Sequence, residues 1–305
     1  RSAESCLAAV LGRFEKQPGD LRKMADYSSF SGLEPPFVLE DVIGESSDEK
    51  HPEPRAEFFE PLSAAALISP LAPTTTEPEL FLAGAGSYTY CYVLPFLAGL
   101  RRNTLIDVNP LLAAAMRKKF GFALADTSCA RALVRLADIE RPVLVIATYH
   151  STHVDIAEMA LDANPRTMIF MEKPPVTNKR QLKRLLALRN SSGFIEIGYN
   201  RRYTSVVRQA KERLGNASGP TTVTCIVQEK QLPMNHWYYW PTQATRIAGN
   251  LAHWVDMGVH FIDSRPISIN ALSSSNKFSA DEAAVSVHFE DGSQLNLIAT
   301  DRGNP

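Results

Sequence analysis

The sequence has no stretch approaching the ~20 consecutive apolar residues of a membrane helix, so no membrane partner is expected. Cysteine is scarce. Cys6, Cys91, Cys129 and Cys225 lie far apart, with neither a disulfide framework nor metal-ligand spacing. No metal is expected, and reduced thiols in a cytoplasmic protein are. Neither charge sign is in excess: 32 Lys and Arg stand against 33 Asp and Glu, a net charge of -1. That balance recommends neither nucleic acid nor an anionic surface as partner. A leader pattern is missing from the opening residues, and internal repeats are missing throughout.

What is there is enough for a core. The 305 residues are 45% hydrophobic, a length and composition that suggest about two domains. Three zones differ in texture. Residues 1–77, rich in Pro and acid after an initial helical stretch, read as an appended N-terminal arm ending in a linker. Residues 78–196 alternate short apolar strands ("LFLAGAG", "TLIDVN", "PVLVIAT", "TMIFMEKP") with helices ("YTYCYVLPFLAGL", "PLLAAAMRKKFG", "STHVDIAEMALDA"). Such alternation implies a doubly wound parallel sheet. Pro110 and Gly121 punctuate one helix, and Ser or Thr is available to cap another. Residues 197–305 shift to period-two strands, with an Asp291-Gly292 hairpin turn. They predict a second domain with a half-buried, mainly antiparallel sheet.

Gly84-Ala85-Gly86-Ser87-Tyr88-Thr89 follows the first strand. A dinucleotide turn wants G-x-G-x-x-G or A there. The first glycine makes the turn, the second admits the pyrophosphate, and the helix N-terminus offers N–H groups. A tight structural turn would use the same glycines. Thr89 departs from the pattern and is expected to loosen helix–strand packing. Asp107 ends the next strand about 20 residues on, where an acid bonds ribose hydroxyls and repels a 2′-phosphate. NAD is thereby favoured over NADP, although the same carboxylate could cap the next helix. Arg101 and Arg102, placed just before that strand, keep NADP open. Lys173, in "MEKPP", follows a parallel strand at the edge where such sheets bind ligands. There it can act as acid or base; taken alone, a solvated surface lysine is the plainer reading. His253, Asp256 and His260 are spaced three and four apart, so on a helix they share a face.

In order and spacing, "GAGSYT…LPFL", "IDVNP", "VIATYHSTHVDIAEMAL", "MEKPP" and "GYNRRY" resemble the glucose–fructose oxidoreductase / inositol dehydrogenase (Gfo/Idh/MocA) family, over about Leu80–Thr300. The stretch "NHWYYWPTQATRIAGNLAHWVD" is similar to one branch of it. The resemblance implies a Rossmann domain, a second α/β domain with an open, mainly antiparallel sheet, and NAD(P) between them. It implies that Gly84, Gly86, Ser87, Tyr88, Asp107, Thr148, His150, His153, Glu172 and Lys173 serve the cofactor, with the loop carrying His150 and His153 near the nicotinamide. His153 could equally serve a helix cap. The catalytic set it implies is Lys173 and His253, with Asp256 orienting the histidine or binding a substrate hydroxyl. Arg202, His236, Trp237 and Asn250 are then expected toward substrate; His236 and Trp237 could instead belong to an aromatic cluster with Tyr238, Tyr239 and Trp240.

Two registers compete for the catalytic histidine. Spacing back to "NRRY" and forward to "PISINAL" favours His253 and places His260 deeper, against the sheet. Where the branch usually has Glu, this chain has Asn250, which cannot move a proton. The family continues with further strands after the segment matching "NLIAT", so the second domain is expected to be incomplete. The arm at 1–77 resembles nothing in that family. The expected function is an NAD(P)-dependent oxidoreductase that passes a hydride between nicotinamide and a sugar-like or polyhydroxy compound. Its partners would be that small molecule and further copies of itself, joined through the C-terminal sheet. The other reading, motivated by Asn250 and Thr89, is a non-catalytic relative that senses a ligand or binds a partner.

Overall fold

The computed structural model describes residues 77–97, 99–191, 194–215, 219–233, 235–240, 242–243, 247–273 and 282–302. All but the last residue of the expected N-terminal arm lies outside this set. The described chain forms two units. One runs to Glu172 and includes Leu185–Ile197; the other comprises Lys173–Arg184 and the chain from Gly198 on.

In the first unit the apolar runs become β1 (Glu79–Ala83), β2 (Arg101–Ile106), β3 (Leu124–Asp126), β4 (Pro142–Ile146), β5 (Met168–Met171) and β6 (Ile195–Ile197). They pair in the order β3-β2-β1-β4-β5-β6, every pair parallel. The order reverses beside β1, where doubly wound sheets bind their ligands. Leu80, Phe81, Leu82 and Ala83 are all fully buried, as a continuous apolar strand covered on both faces must be. Helix α1 (Pro110–Phe120) starts where the Asn109 side chain accepts from the Leu111 and Leu112 amides, and stops at left-handed Gly121. Its Leu112, Met116 and Phe120 pack with Leu80, Leu82 and Leu105. Fully burying such a side chain contributes roughly 1.5–3 kcal/mol. Helices α2 (Cys129–Leu133) and α3 (His153–Ala163), with the part of α4 (Lys179–Ser191) from Leu185 on, complete the alternation.

Three local expectations change. The helix expected over "YTYCYVLPFLAGL" is a π-turn, Thr89–Val93, followed by a 3-10 turn, Leu94–Phe96. Arg101 and Arg102 begin β2 rather than precede it. Their guanidinium groups donate to Glu79 Oε1 (3.2 Å) and to the Phe120 carbonyl (2.5 Å). Thr152 stands at the start of α3 without capping it; its hydroxyl donates to the Tyr149 carbonyl at 2.8 Å.

The second unit carries α5 (Ser205–Leu214), β7 (Thr222–Gln228), α6 (Ala252–Ile262), β8 (Pro266–Ser273), β9 (Ala283–Phe289) and β10 (Gln294–Thr300). The sheet order is β7-β10-β9-β8. β9 is antiparallel to both neighbours, and β7 runs parallel to β10. Gly292 takes a positive φ in the expected hairpin turn, and the Phe289 amide donates to the Ser293 carbonyl at 2.9 Å. Alternation puts Val285, Val287, Phe289, Leu295 and Leu297 on one face, packed with Val255, Val259 and Ile262 of α6. A Cβ at Gly258 of α6 would lie 2.5 Å from Leu295 Cδ1, so this glycine lets the helix lie flat on the sheet. The opposite face is open. Ile226, Ile298, Ala284 and Leu272 are register partners across all four strands and are exposed. Among the described residues, no helix is long and apolar enough to cross a membrane. No group of three or more metal-binding side chains occurs among them either.

Candidate functional site

The first unit gathers its candidate residues at the carboxyl ends of its strands. Gly84 has φ +99°, and a Cβ there would lie 2.2 Å from the Ala147 carbonyl oxygen, so the turn admits only glycine. A Cβ on Gly86 would meet nothing within 4 Å, which leaves that edge of the loop open to a ligand. Thr89 does not loosen the packing. Its buried hydroxyl donates to the Gly84 carbonyl at 2.8 Å and ties the helix start to the turn.

Asp107 is held at the loop rather than used as a cap. Its Oδ2 accepts from the Ala85 amide at 2.7 Å and its Oδ1 from the Asn109 amide at 2.9 Å. The helix cap belongs to Asn109. Each carboxylate oxygen keeps acceptor capacity for a ribose hydroxyl. Burial raises the Asp107 pKa, and the two amide bonds oppose that rise. Two neighbours had no signal in the sequence. The Tyr149 hydroxyl is pushed up to about 12 by burial and then by the Asp107 charge. The Cys129 thiol is pushed up to about 11 by burial, then by Asp107 and Asp126. Asp126 itself is held near 2, first by its hydrogen bond from Arg131.

Tyr88 bonds Glu172, and burial followed by that carboxylate raises its pKa. Thr148 and Thr152 join through their hydroxyls at 2.7 Å. His150 and His153 are buried against each other, ring centroids 5.9 Å apart, and His153 Nε2 lies 3.0 Å from the Thr148 carbonyl. Both imidazoles thus pack inward. The turn with no side chain on its open edge, the acid after β2 and the helix start behind the glycines together fit a dinucleotide.

A second constellation lies wholly in the other unit. Lys173 Nζ donates to the Gly249 carbonyl at 3.2 Å and to Asn250 Oδ1 at 3.5 Å. Asn250 Nδ2 donates to Glu229 Oε2 at 2.8 Å, and the Tyr238 hydroxyl reaches Asn250 Oδ1 at 3.4 Å. His253 sits in the first turn of α6 with the Tyr199 ring edge-on at 6.2 Å. Burial, then the Lys173 and Arg201 charges, lower its pKa from 6.5 to about 3, so the ring is neutral at pH 7. Its Nδ1 is buried with no hydrogen-bond partner among the described residues.

Asp256, 1% exposed, meets the Arg202 guanidinium with both oxygens: Nε donates to Oδ2 at 2.9 Å and Nη2 to Oδ1. His260 corrects an expectation. It is the more exposed of the two α6 histidines and lies among Arg202, Lys211, Asp256 and Asp263, because the deeper side of that helix turn is filled by Val259 and Ile262. Burial, then Arg202 and Lys211, lower its pKa. His236, Trp237 and Tyr238 form a half-buried aromatic cluster with ring separations of 4.3 to 5.8 Å. Glu229, beyond the end of β7, went unnoticed in the sequence because no spacing rule links it to Asn250.

The strand order and the turn after β1 define a dinucleotide-binding domain of the Rossmann type. The sequence profile described as oxidoreductase family, NAD-binding Rossmann fold (GFO_IDH_MocA) matches residues 81–198. No curated protein matches the sequence. Among solved structures, the chain is similar to the aldose–aldose oxidoreductase of Caulobacter crescentus complexed with glycerol, with a TM-score of 0.66, 17% identity, and 75% of this chain and 72% of that chain covered. It is also similar to a levoglucosan dehydrogenase in complex with NADH and L-sorbose, at 0.63, 20%, and 75% and 68%. A third is the myo-inositol dehydrogenase of Lactobacillus casei in complex with NAD(H) and myo-inositol, at 0.60, 18%, and 74% and 68%. At such identities the likeness establishes a shared fold. Residues 81–198 thus match the NAD-binding Rossmann domain of the Gfo/Idh/MocA oxidoreductase family.

Proposed function

We propose that the protein is an NAD-dependent oxidoreductase that interconverts a carbinol and a carbonyl in a sugar-like or polyhydroxy compound. The observation that carries this reading is the placement of Lys173 beside both Asn250 and the neutral, buried His253. NAD, when bound, supplies or takes up the hydride. The chain's own groups manage the proton. The Lys173 ammonium donates to the substrate oxygen and stabilises negative charge as it develops there. His253, with an unpartnered Nδ1, accepts or holds a hydroxyl proton. Asp256, neutralised by Arg202, anchors the base of α6. Arg202, His236, Trp237 and Asn250 supply polar and aromatic contacts to hydroxyls and ring faces of the substrate. The names of the three structural relatives, which concern an aldose, levoglucosan and an inositol, support the polyhydroxy class. Asp107 favours NAD over NADP, because its carboxylate accepts ribose hydroxyls and repels a 2′-phosphate. The exposed apolar row Ile226–Ile298–Ala284–Leu272 is the face through which copies associate.

General acid–base catalysis contributes typically ~10²–10⁴-fold. Lys173→Ala should lower turnover on the responsive member of a sugar and polyol panel by about that factor, with circular dichroism unchanged. Near-normal turnover in that variant would remove Lys173 from the mechanism. A wild-type chain that binds NADH yet turns over nothing in the panel would favour the non-catalytic reading.

A further inference from the structure

The side chain at position 250 touches an acid on one side and a base on the other. Glu229 is acceptor-only and the Lys173 ammonium is donor-only, so the Asn250 amide has a single orientation that satisfies both. Its Nδ2 faces Glu229 Oε2 at 2.8 Å, and its Oδ1 faces Lys173 Nζ at 3.5 Å and the Tyr238 hydroxyl at 3.4 Å. A carboxylate at this position would meet Glu229 as a like charge, and an aliphatic residue would break the chain of bonds. Asparagine fits here because it is neutral and has a donor end and an acceptor end.

We propose that Glu229 is a positioning residue for Lys173, acting through the side-chain amide of Asn250. Glu229 holds the amide from behind. The amide oxygen and the Gly249 carbonyl then anchor the ammonium from one side. The substitution that argued against catalysis when seen in the sequence thus brings an acid to bear on Lys173 without direct pairing. The groups that share this environment are His253 from α6, Arg201 beyond it, Tyr238 from the turn Trp237–Tyr239, and Glu229 just after β7. The proposal rests on the reading of Lys173 as the proton-transfer group, but its test does not need turnover.

The test is competitive acylation of the purified full chain with a limiting amine reagent over pH 7–10. Labelling of Lys173 is read by peptide mass spectrometry against exposed Lys118 on α1. Glu229→Gln keeps the shape but removes the charge. It should raise Lys173 labelling relative to Lys118 by roughly 3- to 10-fold near pH 8, the effect of losing a nearby favourable charge. Asn250→Ala should act in the same direction, and the double variant should do no more than either single one, since both cut one chain of contacts. An unchanged Lys173 ratio in Glu229→Gln, or effects of the two substitutions that simply add, would overturn the proposal. If Lys173→Ala keeps full turnover while Glu229→Gln still alters labelling, the proton-transfer reading fails and the positioning role stands.

Discussion

Suppose the pH is lowered on the intact protein while the imidazole of His253 is followed. Burial is the largest cause of its lowered pKa, and the Lys173 and Arg201 charges add to it, taking it from 6.5 to about 3. At about 1.36 kcal/mol per pKa unit, that shift corresponds to on the order of 5 kcal/mol in favour of the neutral ring. Above pH 6.5 the ring is neutral in both folded and unfolded chains. Between 6.5 and about 3 the unfolded chain binds a proton that the folded chain does not, so stability falls as pH falls through that window. By pH 4.5 the loss from this residue should be about 2–3 kcal/mol. Two assays follow: histidine-selective NMR titration, with His253→Gln to assign the resonance, and urea denaturation of wild type and variant at pH 7.5 and 4.5. The variant should lose less stability between the two pH values. Lys173→Met should move the His253 midpoint upward yet leave it below 6.5, because burial remains. A wild-type midpoint between 6 and 7, or identical acid sensitivity of the two proteins, would refute the reasoning.

Arg202→Met should cost ~3–5 kcal/mol, because it strands a carboxylate that is 1% exposed. Arg202→Met with Asp256→Leu should recover most of that, and equal losses in the single and double variants on urea denaturation would contradict the pairing argument. Asp107→Ala should weaken NADH more than NADPH in a fluorescence titration, whereas a wild-type chain that prefers NADPH would show that Asp107 does not read the ribose. Ile226→Lys combined with Leu272→Lys places charge on the exposed row and should shift sedimentation toward a smaller species; a wild-type chain that is already monomeric would rule out association through this face.

The first sheet was readable because β1, β4 and β5 are nearly continuous apolar runs and α1 carries Pro110 and Gly121 at its ends. The second sheet was readable from period two in β9 and β10, whose buried and open residues alternate. β3 and α2 went unseen, having only 3 and 5 residues in which to show a period. The π-turn at Thr89–Val93 was read as ordinary helix because its side chains repeat much as a helix does. In the candidate site, Gly84, Asp107 and Lys173 were legible because each follows a strand. Glu229 was not, since its partner Asn250 is reached only after the chain has left β7 and returned at the start of α6. The depth of His260 was misjudged for a related reason. Helical spacing fixes a face, but Val259 and Ile262 already fill the side of that turn packed on the sheet, which spacing alone does not show.

Gly258 sets more than local packing. It is the point at which α6 rests on Leu295, five residues beyond His253 in sequence. A methyl group added there would act as a shim under a lever whose far end carries the imidazole, raising it relative to the sheet without altering any group that handles protons. Positions 258 and 295 therefore form a mechanical adjustment remote from the chemistry. Changes selected for a larger or smaller substrate could accumulate there while every polar residue of the site stays as it is.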